Sequence, residues 1–191
     1  MLYGRFVLVG DFPEVLRGAA AGDASAFARL WRDTHPPLLR YLWVSAGDAA
    51  EDVAAEVWLE VARRIGSFRG GLFTMARRKM IDRHRYEARR PVSPTGDGEL
   101  LDRPAADDTV AAALEYISTE TALALIATLP RDQAEIIALR VVVGLDASAV
   151  AQIVGKSPGA VRVAAHRGLR TLRERVADAS VTSPGRGGVT L

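Results

Sequence analysis

The sequence predicts an all-α protein, made of two small helical domains joined by a flexible linker. Three observations carry that expectation. β-branched clusters are few, the main ones being Arg5–Gly10 and Arg140–Val143. Elsewhere apolar residues recur at three- and four-residue steps, the period of a helix with one buried face. Between Pro91 and Asp108 that period collapses into Pro, Gly, Ser, Thr and Asp, a composition that cannot bury a core.

Taken in order, Val15, Leu16 and Ala19, then Phe27, Leu30 and Trp31, then Leu38, Leu39 and Leu42 mark helices between about Pro13 and Leu42. Pro36-Pro37 is expected in the first turn of the last of these, where a missing N–H costs nothing. Asp48 is expected to cap the next helix, whose Val53, Val57, Val61 and Ile65 form an i, i+4 stripe. A further helix from about Gly71 to Arg90 puts Leu72, Phe73, Ala76, Met80 and His84 on one side. Helical signals resume near Val110, and Leu129-Pro130 opens a compact unit running to about Val176. The end of the chain contains Ser-Pro-Gly-Arg-Gly-Gly and is expected to be a disordered tail. The expected boundaries are 12–90 for the first domain, 91–119 for a partly disordered linker, 120–178 for the second domain and 179–191 for the tail.

Of the 191 residues 49% are apolar, enough for a core, and none is cysteine. Disulfides, thiolate metal sites and cysteine nucleophiles are thereby excluded. No apolar run approaches the ~20 residues that span a bilayer, and Arg5 interrupts the apolar start. The expectation is a cytoplasmic protein with no membrane partner. The net charge of +2 conceals a segregation. Residues 1–62 hold five basic and nine acidic side chains, and residues 63–90 hold ten and two, a block of +8. Residues 91–124 hold one and seven, and residues 125–180 eight and five. Two basic blocks flanking an acidic one suggest contact with a polyanion, although solvated helix faces would give the same count.

The most specific local pattern lies between Gly144 and Leu172. Asp146 can cap one short helix and Ser157 a second, with Pro158 at the second helix's first position. Ala151, Gly155 and Val161 have the spacing of a helix-turn-helix: Ala permits close crossing, Gly takes a positive φ in the turn, and Val anchors the second helix. The second domain is therefore read as a helix-turn-helix. Its second helix would present Arg162, Val163, His166 and Arg167 to the major groove, and Arg170 and Arg173 to phosphates. No second histidine stands at metal-ligand spacing from His166, so neither a metal nor a cofactor is expected.

The segment from Leu125 to Arg173 closely resembles the C-terminal DNA-binding domain of extracytoplasmic-function (ECF) RNA polymerase sigma factors. Leu129-Pro130, Leu139-Arg140, Gly144-Leu145 and Gly159-Ala160-Val161-Arg162, followed by Arg167, carry the likeness. The resemblance implies contact with the −35 promoter element, with Arg162, Val163, His166 and Arg167 at the base-reading positions.

The first half resembles the same family. Gly22-Asp23-Ala24, Phe27, Leu30-Trp31 and Pro37-Leu38-Leu39-Arg40-Tyr41 are similar to the opening helices of the sigma domain that grips core polymerase. Ala50 to Trp58 resembles the segment that docks on the clamp coiled coil of the polymerase β′ subunit. With the Val stripe committed to the core, Asp52, Glu56 and Leu59 lie on other faces and become the candidate polymerase contacts. Phe68 to Arg78, with Ile81-Asp82, resembles the helix that engages the −10 element, which nominates Arg77, Arg78, Lys79, Arg83 and Arg85. Three positions depart from the family pattern: Ala55 stands for the usual Gln, Gly71 for Trp and Arg78 for Asn, and the Ile65–Gly71 connection is short.

The resemblance thus implies a sigma factor that binds core RNA polymerase and promoter DNA, leaves catalysis to the polymerase, and has an anti-sigma factor among its partner classes. A stand-alone helix-turn-helix regulator is the alternative. A nuclease built on Asp48, Glu51, Asp52 and Glu56 is disfavoured, because Val53 and Val57 commit that helix to packing.

Overall fold

The computed structural model describes residues 11–68, 70–89 and 110–181, and the side chains of these apart from 87, 110–118 and 176–181. The expectations for the N-terminal apolar stretch, for the linker up to 109 and for the tail beyond Val181 lie outside the described residues.

Eight α-helices make up the described chain: α1 (Phe12–Ala20), α2 (Ala24–Ala46), α3 (Ala50–Arg63), α4 (Leu72–Arg89), α5 (Val110–Ala127), α6 (Arg131–Ile137), α7 (Ala147–Val154) and α8 (Pro158–Val181). No strand occurs among the described residues. In the first half α2 packs on α1, α3 and α4, and α3 also packs on α4. In the second, α8 packs on α6 and α7, and α5 on α6.

Local chemistry explains most boundaries. Asp23 caps α2, its carboxylate accepting from Ser25 N at 2.8 Å and Ala26 N at 3.2 Å. Those hydrogen bonds, with that from the Ser25 hydroxyl first, hold its pKa below the ordinary carboxylate value. Gly18 lets α1 and α2 cross closely, since a Cβ there would stand 2.9 Å from the Ala26 Cβ.

Three local expectations are corrected. Pro36 and Pro37 do not open a helix; they sit inside the unbroken α2. The helix tolerates their missing N–H groups because buried residues lie on both sides of the break, Leu30 and Thr34 before it and Leu38, Tyr41 and Leu42 after it. Asp48 does not cap α3. It lies in a short 3-10 turn, and α3 begins at Ala50 with no side-chain cap. His84 is exposed, whereas Leu72, Phe73, Ala76 and Met80 are buried as expected.

The stripe of α3 behaves as its spacing predicts, with Val53, Val57 and Val61 fully inside and Ile65 partly buried in the following turn. The core does not stop at the first half. One continuous apolar cluster runs from Val15 and Leu16 through Phe73 and Met80 to Ile136, Leu139, Val150 and Val161. α2 contacts α5, α6 and the π-helical turn Ala138–Val142, and α4 contacts α7. The two halves therefore share a buried seam.

Candidate nucleic-acid interface

The helix-turn-helix is built as its residues require. Asp146 caps α7, accepting from Ser148 N at 2.9 Å and Ala149 N at 2.8 Å. Gly155 ends α7 in the left-handed conformation at φ 70°, with its N–H returning to Ala151 O. Ser157 Oγ then accepts from Ala160 N at 3.2 Å at the start of α8. Ala151 and Val161 are both buried at the crossing. Ahead of the motif, Arg140 donates from Nη1 to Leu145 O at 2.9 Å and ties the end of the π turn to the approach to α7.

α8 is thereby fixed with a defined outward face. Val161 and Gly168 are buried, and Ala164, Ala165 and Leu172 half-buried. Arg162, Val163, His166, Arg167, Arg170 and Arg173 are all exposed, including 51% of the apolar Val163. Arg170 pairs with Glu174 at 3.7 Å. Arg162, Arg167 and Arg173 form no ion pair among the described residues. Sequence reasoning missed Gly168: a Cβ there would come 3.0 Å from Ile137 Cγ1, so the glycine allows α8 to lie directly on α6. Arg175 also donates to the Thr128 hydroxyl, anchoring α8 to the turn after α5.

The second basic surface, on α4, is divided among partners. Lys79 reaches Glu56 Oε2 at 3.3 Å and Glu60 Oε2 at 3.4 Å, and Arg83 reaches Asp52 at 3.9 Å. Two of the candidate polymerase residues on α3 thus balance two of the candidate DNA residues on α4. Arg78 and Arg85 are exposed, with no ion pair among the described residues. Arg77 turns instead toward the other half of the molecule, its Nε donating to Glu135 Oε1 at 2.8 Å. Leu59 on α3 is 55% exposed, a large apolar side chain left on the surface.

The departures at the α3–α4 junction have a backbone cause. Gly70 and Gly71 adopt φ of 98° and 86°, a region in which a side chain such as Trp would be strained. Between α2 and α3, Trp58 Nε1 donates to His35 Nδ1 at 3.1 Å, and His35 stacks on Trp31 with ring centres 4.6 Å apart. Burial holds the His35 pKa below the ordinary histidine value, against the opposing pull of Glu51. Among the described residues no three His, Asp or Glu side chains gather in a metal-binding group, and no helix is long and apolar enough to cross a membrane.

Residues 119–172 match the family model described as Sigma-70, region 4. The chain is 38% identical over 173 residues to ECF RNA polymerase sigma factor ShbA of Streptomyces griseus, covering 81% of this chain and 90% of that relative. It is 34% identical over 176 residues to ECF RNA polymerase sigma factor SigD of Mycobacterium tuberculosis, covering 85% and 82%. The chain belongs to the ECF RNA polymerase sigma factors. The fold agrees: a solved structure of CnrH, in complex with the cytosolic domain of CnrY, superposes with a TM-score of 0.57 at 21% identity over 87% of this chain and 96% of that one. Like other sigma factors, it binds core RNA polymerase and directs promoter-specific initiation of transcription. A stand-alone regulator is not favoured, because the similarity to sigma factors extends well outside the helix-turn-helix.

Proposed function

We propose that this ECF sigma factor reads the −35 element with Arg162, Val163, His166 and Arg167 of α8, and holds the flanking phosphates with Arg170 and Arg173. Residues 120–178 would act as that reading unit, and residues 12–90 as the polymerase and −10 unit, connected through 91–119, with 179–191 as a tail. On α4, Arg77, Arg78, Lys79, Arg83 and Arg85 would meet the −10 element, and Asp52, Glu56 and Leu59 of α3 the β′ clamp coiled coil. The bond-forming chemistry then belongs to the polymerase, the site of action is the cytoplasm, and an anti-sigma protein is a further partner of the kind common in this family.

The observation that carries this reading is the two-sided build of α8. Its inward face is spent on Val161 and on Gly168 against Ile137, while its outward face holds exposed cations and an exposed Val, a set able to pair with guanine and to touch a thymine methyl. The test is reconstitution with core polymerase on genomic fragments, followed by sequencing of RNA 5′ ends. Start sites sharing upstream elements, lost in Arg162→Ala, are expected. Initiation no different from that of core polymerase alone would overturn the reading.

A further inference from the structure

The seam between the halves is closed by a single carboxylate oxygen. Glu135 Oε1, on α6, accepts from Arg77 Nε of α4 at 2.8 Å and from the Tyr41 hydroxyl of α2 at 3.0 Å. These partners come from 58 and 94 residues away in the chain. The Glu135 side chain is 13% exposed and that of Arg77 28%, so the pair is shielded from bulk water. Tyr41 is fully buried, its ring edge-on to Phe73 at 5.5 Å, which fixes the direction in which its hydroxyl points. Beside this cluster a cleft of about 570 Å³ runs between the halves, walled by Val44, Met80 and Arg85 on one side and Leu129, Arg131 and Ala134 on the other. The face of α4 that carries Arg77 and Arg85 therefore looks onto the second half of the molecule.

A carboxylate and a phosphate oxygen ask the same thing of an arginine: a charge-assisted hydrogen bond from a guanidinium N–H. We propose that Glu135 is an internal stand-in for DNA on Arg77, so that the free chain holds itself closed and α4 meets the −10 element only when the halves part. This rests on the reading of α4 as the −10 helix. An intramolecular acceptor competes at high effective concentration, whereas DNA must arrive from solution. If the binding-competent form is the minor one, the measured affinity for DNA falls by its fraction, and loosening the latch restores it in proportion. Polymerase or DNA, by binding the open form better, supplies the free energy of opening.

The experiment uses the full chain. Because it has no cysteine, Arg32→Cys on α2 and Gln152→Cys on α7 provide two unique thiols for fluorescent labels that report the separation of the halves. Glu135→Ala removes the acceptor, Tyr41→Phe removes one donor without changing charge, and Glu14→Ala on α1 reproduces the charge change elsewhere. Far-UV circular dichroism verifies folding. Glu135→Ala is expected to lengthen the label distance and to raise affinity for mixed-sequence single-stranded DNA about tenfold, the size expected for losing one hydrogen bond to a charged group. Tyr41→Phe should move both readouts in the same direction, and Glu14→Ala should leave the distance unchanged. Unchanged distance in both latch variants overturns the latch. A longer distance with no affinity gain beyond that of Glu14→Ala overturns the inhibition. Arg78→Ala in the opened protein tests the other assumption separately: undiminished DNA binding would overturn the placement of the −10 element on α4.

Discussion

Gly168 of α8 lies against Ile137 of α6 so closely that a Cβ on the glycine would stand 3.0 Å from Ile137 Cγ1 and 3.4 Å from its Cδ1. That contact sets how far α8 projects from the helix beneath it. Gly168→Leu is expected to force the two helices apart, costing about 1–3 kcal/mol as overpacking does. It should also weaken discrimination between promoter and scrambled duplex, because the outward arginines would shift with the helix. Urea denaturation and a DNA titration check both, and a midpoint equal to that of the unaltered protein would show that the crossing has room to spare.

His35 accepts the Trp58 indole N–H through Nδ1, which requires the neutral ring with its own proton on Nε2. Protonation would set one donor against another. Since burial lowers the folded-state pKa, the unfolded chain takes up the proton first as the pH falls through about 6.5. Stability should therefore decline from neutral pH downward and level off once the folded His35 itself titrates. The slope of Tm against pH should be shallower in His35→Gln over that window. Parallel slopes for the two proteins would refute the coupling.

Reversing the charges of Asp52 and Glu56 to Lys is expected to weaken core polymerase binding. It also takes from Lys79 and Arg83 partners 3.3 and 3.9 Å away. Exposed pairs of this kind are worth about 0–1 kcal/mol, so helical content should survive. Affinity for core enzyme and far-UV circular dichroism, measured together, separate the two effects. Undiminished polymerase binding would remove these carboxylates from the docking surface.

Arg162→Ala or Arg167→Ala should cost roughly 1–3 kcal/mol on the −35 sequence where the side chain makes a bidentate base contact. Arg173→Ala should weaken all duplexes alike and lower the salt dependence by about one unit. Titrations against promoter and scrambled duplex at several salt concentrations distinguish these patterns. Equal losses on both duplexes for Arg162→Ala and Arg167→Ala would rule out sequence readout by this face.

The sequence by itself determined the features that depend on neighbours along the chain. Asp146, Gly155, Ser157 and Val161 act within a few residues of themselves, and each does in the structure what its chemistry and spacing predict. The stripe of α3 and the outward face of α8 follow equally from helical period. What only the tertiary structure decided depends on partners distant in sequence. Pro36 and Pro37 read as a helix start until the burial of residues on both sides of them keeps α2 whole. Gly168 carries no local signal, since its reason is Ile137 on another helix. Glu135 looks like any charge on a short helix, and nothing in its neighbourhood announces Tyr41 or Arg77. Its role comes from two halves folding onto one seam, where a carboxylate removed from water must take the donors that the other half supplies.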